Sequence, residues 1–212
     1  MISGSRVRAA FVLSVMLSAP VYAQNTPPRL LSAPVPASPL GAQSGGIAAL
    51  DVTVNASGAV TAAETVQDFA PFGDLIREAV RGWHFEPARE QGRTVPRHVL
   101  VLGFFRPPEL AVIAPSQPRY KDTTAPPELP WPTAITVPPY PPNALGSGKV
   151  VLEVDVSEEG KVTNARVLNP GSPFDGAATG AARAWTFRPA SLGGRAAAAR
   201  AFFIFSFVGT TR

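Results

Sequence analysis

Apolar positions along the chain fall into short runs that alternate with polar ones, and the pattern repeats. Val150, Leu152, Val154 and Val156 alternate with Val151, Glu153 and Asp155, which predicts a half-buried strand. Ser157-Glu158-Glu159-Gly160 predicts a tight loop, and Lys161 to Leu168 the return strand. The loop glycine suits the left-handed residue of a type I turn with a bulge. The same order stands earlier, with Leu50, Val52 and Val54, then Asn55-Ala56-Ser57-Gly58, then Ala59 to Val66. A helix follows each hairpin. Asp74 to Trp83 puts Leu75, Ile76, Ala79, Val80 and Trp83 on one face, whereas Asp175 to Trp185 is Ala-rich and carries Gly176 and Gly180, which makes it the weaker helix. A final strand is predicted from about His98 to Phe105 and again from about Arg200 to Val208.

These two passages are copies. Trp83-His84-Phe85-Glu86-Pro87-Ala88 returns 102 residues later as Trp185-Thr186-Phe187-Arg188-Pro189-Ala190. In the same gapless register Gly58 meets Gly160, Gly92-Arg93 meets Gly194-Arg195, and Val35-Pro36 meets Val137-Pro138. The fold class expected is therefore α+β, with two small repeats. Each would be a three-stranded antiparallel sheet (ββαβ) in strand order 2-1-3, with a helix on one face. That order leaves the last strand as an edge with unpaired backbone groups, a liability or a docking site for another chain. The matched glycines read as turn residues, and Trp83 and Trp185 as core. Phe203, Phe205 and Phe207 lie on one face of the last strand, with Phe202, Ile204 and Val208 on the other. A strand apolar on both faces is usually buried on both, the second partner being the other repeat or another protein.

Proline divides the rest. Segments 24–44 and 108–136 are Pro-rich and predict semi-rigid, extended spacers. Leu110 to Ile113 and Trp131 are the residues there that could pack on a domain. The repeats themselves are expected at 45–107 and 137–209. Residues 1–23 have the grammar of a signal peptide: Arg6 and Arg8, an apolar run from Ala9 to Ala19, and Val21-Tyr22-Ala23 before Gln24. The rival reading is an uncleaved anchor, with membrane contact only in that case.

Charge and chemistry exclude more than they add. The formal net charge is +4, and losing Arg6 and Arg8 would leave +2. With no basic stripe interleaved with aromatics, nucleic acid is not an expected partner. Cysteine is absent, so no disulfide or thiolate metal site supports either core. His84 and His98 are the two histidines, and no carboxylates stand beside them at ligand spacing. No metal, cofactor or catalytic constellation is expected, and hence no enzyme.

Tyr140-Pro141-Pro142-Asn143-Ala144, a Gly-Ser-Gly turn, Val150 to Val156, Gly160-Lys161-Val162, and Trp185 to Ala190 followed by Gly194 resemble the C-terminal domain of the TonB family over about 137–209. Residues 35–106 look like a diverged version, with Ser38-Pro39 in place of Tyr140-Pro141. The resemblance implies a periplasmic protein-binding domain that takes an extended peptide of an outer-membrane transporter by adding it to its last strand. Carried over, that site comprises Tyr140, Pro141, Arg200, Phe202, Phe203, Ile204, Phe205 and Phe207. The implied partner is a TonB-dependent outer-membrane receptor or another envelope protein. Two alternatives stay open: a membrane-anchored energy transducer, and a structural repeat protein whose sheet edges pair with each other.

Overall fold

A computed structural model describes residues 25–34, 46–68, 72–106, 125–170 and 173–209. The proposed signal segment, Leu110 to Ile113 and much of the second Pro-rich stretch lie outside them. The first half contains β1 (Arg29–Ser32), β2 (Gly46–Val54), β3 (Val60–Gln67), α1 (Phe72–Arg81), β4 (His84–Glu86), β5 (Ala88–Glu90), β6 (Arg93–Val95) and β7 (Arg97–Arg106). The second contains β8 (Trp131–Ala134), β9 (Gly148–Val156), β10 (Val162–Val167), α2 (Phe174–Arg183), β11 (Thr186–Arg188), β12 (Ala190–Leu192), β13 (Arg195–Ala197) and β14 (Ala199–Phe207). The described residues are thus mostly β-sheet with two short helices. Three short strands stand between each helix and the last strand, where the sequence had suggested only a turn.

The two three-stranded sheets expected from the sequence are one. The long strands form a six-stranded sheet in the order β10-β9-β14-β7-β2-β3. All its neighbours are antiparallel except at the centre, where β14 and β7 run parallel. The expected free edge of β14 is therefore occupied by β7, and that of β7 by β14. The physical reason lies in the side chains. Val99 to Leu102 and Phe202 to Phe205 are apolar at every position and 0–1% exposed. Joining the halves removes both rows of unpaired backbone groups and covers both faces.

The register at this seam follows from symmetry. Equivalent residues are 102 apart, yet Leu100 pairs with Ala201 and Val101 with Phe202, an offset of 101. Two like strands running parallel side by side are related by an axis along the strands, which sends one sheet face to the other. Paired residues in a parallel ladder share a face, so equivalent residues cannot pair. The ladder must slip by one. The helices consequently cover opposite faces. Phe72, Ile76 and Val80 of α1 pack with Leu50, Val52 and Val101 and with Phe202 and Ile204 of the other half. Phe174, Ala178 and Ala182 of α2 pack with Leu152, Val154, Phe203 and Phe205 and with Leu100, Leu102 and Phe104 of the first half.

The described parts of the Pro-rich segments are straps, not free spacers. β1 pairs with β4 and β8 with β11. The Trp83 indole donates to the Pro34 carbonyl (3.0 Å) and that of Trp185 to Thr136 (2.9 Å). Leu30, Leu129, Trp131 and Ile135, apolar residues set among the prolines, are all buried.

The turn glycines separate into two kinds. Gly160 has φ +74°, and a Cβ there would stand 1.8 Å from the Phe187 carbonyl oxygen. That strand is held in place because the Phe187 N–H donates to Gly160 O at 2.8 Å. Gly194 has φ +77° with open space around it. Gly160→Ala is expected to cost about 3 kcal/mol, through backbone strain plus displacement of β11, and Gly194→Ala about 1 kcal/mol from strain alone. Urea denaturation of the two variants measures the difference; equal costs would refute the close approach.

Candidate functional site

The residues expected to bind a partner do not form one surface. Tyr140 and Pro141 lie at the C-terminal end of β14. The Tyr140 ring, half-buried, meets Phe174 edge-on at 5.8 Å and Phe207 at 6.5 Å. Its hydroxyl donates to the Gly146 carbonyl, and the Arg106 guanidinium lies 5.8 Å from the ring centroid. Partial burial at the same end of the sheet holds the Lys149 ammonium below its ordinary value. Arg200 is at the opposite end of β14, about 23 Å from Phe207 at 3.3 Å per residue. Between them Phe202 and Ile204 face the α1 side while Phe203, Phe205 and Phe207 face the α2 side. All five are 0–1% exposed. None of these side chains is available to a ligand in this fold. Burying each Phe contributes roughly 2–3 kcal/mol, so their role here is core.

The sequence reading missed a set of charges on the α1 side of the second half's sheet. The alternation of β9 suggested that Glu153 and Asp155 face solvent. Instead Glu153 is 3% exposed, because the first half's strap and its Trp83 and Phe85 lie across that face. Glu153 Oε1 accepts from Arg166 Nη2 at 3.0 Å and stands 3.7 Å from Arg200 Nη1. Arg200 Nε donates to Asp155 Oδ1 at 2.7 Å, and Arg200 Nη1 to the Pro28 carbonyl at 3.4 Å. That last bond ties the first strap to the second half. The other face carries the equivalent pair: Asp51, 8% exposed, lies 2.8 Å from His98 Nδ1. Asp51 and His98 are the counterparts of Glu153 and Arg200 at the 102-residue offset. An acidic residue facing an Arg or a His at paired offsets in both halves is the signal that could have revealed these contacts. Glu153 Oε1 faces two guanidinium groups, whereas its Oε2 is buried with no hydrogen-bond partner among the described residues. Among the described residues no group of His, Asp and Glu is arranged to hold a metal ion, and no helix is long and apolar enough to cross a membrane.

The outer strands carry the free backbone. β10 pairs with β9 along its inner side. Beyond it, among the described residues, only the Lys161–Thr186 bridge and the Phe187 bond to Gly160 touch its start. Thr163, Asn164 and Arg166 on this strand are exposed. β3 is the matching edge in the first half, touched at its start by the Ala59–His84 bridge.

From the end of the second strap to the end of β14, the chain has a recognisable signature. Residues 136–208 match the family model of the Gram-negative bacterial TonB protein C-terminal. The match covers the unit formed by β9, β10, α2 and β14, together with Tyr140-Pro141 and the Trp185-x-Phe187 segment. TonB C-terminal domains belong to the Gram-negative envelope and interact with proteins such as outer-membrane receptors. The TonB-like unit lies wholly within the second half; the first half is its neighbour across the β7–β14 seam. The comparison with curated proteins found no match to this chain.

Proposed function

We propose that the chain is an exported, non-enzymatic protein-binding module of the Gram-negative envelope. Its first half is a diverged copy of the TonB-like unit that serves as a built-in partner for it. The observation that carries this reading is the TonB C-terminal match over 136–208, combined with a β14 hydrogen-bonded on both sides. Docking of an extended segment on β14 is thereby removed from the reading, since β7 already stands there. Strand addition at the outer edge of β10, within the matched unit, takes its place. Main-chain bonds there would give affinity, and alternate side chains specificity. The polar residues Thr163, Asn164 and Arg166 keep this edge from pairing indiscriminately.

The test is a photo-crosslinking residue placed in the full chain, expressed in a Gram-negative envelope, either at Thr163 on β10 or at Ile204 on β14. Adducts with outer-membrane proteins are expected from position 163 and none from 204. Adducts from 204 alone would mean that the halves separate to bind. Adducts from neither would refute a protein-binding role.

A further inference from the structure

The two straps fill their places unequally. On the α2 side, Trp131 and Ile135 of the second strap belong to one packed cluster with Ala49, and Val66 packs against it. The equivalents on the α1 side are Arg29, Ala33, Val151 and Leu168. A guanidinium and a methyl group replace an indole and a sec-butyl group; Val151 in place of Ala49 and Leu168 in place of Val66 fill part of the space, with Val151 inside the buried cluster and Ala33 and Leu168 packed against it. A cleft of about 300 Å³ opens there between β1 and the sheet, lined by Arg29, Ala33, Val151, Arg166 and Leu168, with Leu31 and Asn169 also at its wall. Leu31 is 60% exposed.

The chemistry of the lining is specific. Leu168, partly buried, and Leu31, 60% exposed, supply the apolar surface, while Val151 is buried with no exposed surface of its own. Arg29 and Arg166 are about half exposed, at 54% and 47%. Each meets one carboxylate oxygen: Arg29 Nε to Glu86 at 2.9 Å and Arg166 Nη2 to Glu153 at 3.0 Å. A guanidinium has five N–H donors in a planar fork, so both retain donors for a further acceptor, and both have a face on which an aromatic ring can lie. The cleft therefore combines an apolar space with two cations at its wall.

We propose that this cleft binds an aromatic side chain, flanked by a carboxylate, from an extended segment of a partner protein. The partner would supply on this face what Trp131 supplies from within the chain on the other. Arg166 lies on β10, so a segment adding to the free edge of that strand runs past the cleft. The identity of the ligand as a partner segment rests on the protein-binding reading above; the chemistry of the cleft does not.

Isotope-labelled full chain titrated with short blocked peptides tests the inference. A peptide containing Asp-Trp is expected to shift the amide signals of Val151 and Leu168 saturably. Asp-Ala should bind at least about tenfold more weakly, and Asn-Trp several-fold more weakly, with the Asp-Trp affinity falling as salt rises. Arg29→Trp and, separately, Ala33→Ile rebuild the filled arrangement of the other face. Both should abolish the shifts while leaving the melting temperature equal or higher. Shifts that are absent, that ignore the Trp-to-Ala change, or that survive in both folded variants overturn the proposal. Thr163 adducts that persist in Arg29→Trp leave the envelope reading standing and remove the cleft from it. Saturable peptide binding without any Thr163 adduct supports the cleft and removes the envelope partner.

Discussion

Phe202→Ala, a substitution in the second half, is expected to cost about 3–5 kcal/mol and to strip protection from the helix of the first half. Phe202 lies on β14 and has no exposed surface, yet its aromatic neighbours are across the seam. Its ring meets Phe85 at 5.3 Å and Trp83 at 6.1 Å, both edge-on, and it shares a cluster with Ile76 and Val80 of α1. Truncation leaves a cavity between strands and helices that belong to different halves. It cannot collapse without moving β7 against β14. Urea denaturation gives the stability loss, and hydrogen exchange of residues 72–81 locates it. Two independent domains would lose protection only around β14. An α1 unaffected by Phe202→Ala would refute the single interlocked body.

The sequence carried most of what lies within each half. Repeated glycines and the Trp-x-Phe segments marked the copies because turns and close contacts restrict those positions to few residue types. The 102-residue register even reaches the indole bonds to Pro34 and Thr136. The seam was harder to read. Phe202 to Val208 declared a strand covered on both faces. Apolar surface, however, is non-directional, so it does not name the partner, and an external protein would have demanded the same residues. Glu153 misled for a related reason. Alternation within one strand reports polarity, and a carboxylate buried opposite two arginines has the same polarity as one in water. The straps were obscured by composition: proline suggests an extended chain, which both are, but says nothing about whether Leu30 or Leu129 finds a face to cover. The cleft depends on differences between the repeats, Arg29 against Trp131 and Ala33 against Ile135, that no single strap declares on its own.

Proline substitutions separate a central β14 from an edge β14 most sharply. Successive N–H groups along a strand point to opposite sides, so proline at an edge is tolerated at every second position and refused at the others. β14 is bonded on both sides, to β9 and to β7. Ala201 and Ser206 are both buried, have small side chains, and differ in parity, so their N–H groups point to different neighbours. Ala201→Pro and Ser206→Pro are each expected to cost about 3 kcal/mol or more, from the lost bond, the acceptor left unpaired in the core and the ring's clash with the adjoining strand. In β3, an outer strand, Ala62 and Ala63 pair consecutively with Thr53 and Val52. One of Ala62→Pro and Ala63→Pro should cost about 1 kcal/mol or less, and the other several-fold more. Chemical denaturation of the four variants reads the pattern: two costly substitutions in β14, one in β3. A well-folded Ala201→Pro or Ser206→Pro protein would restore a free edge to β14. If both are lost, failure of such variants to capture a partner reports unfolding, and the substitutions that bear on docking belong on β10.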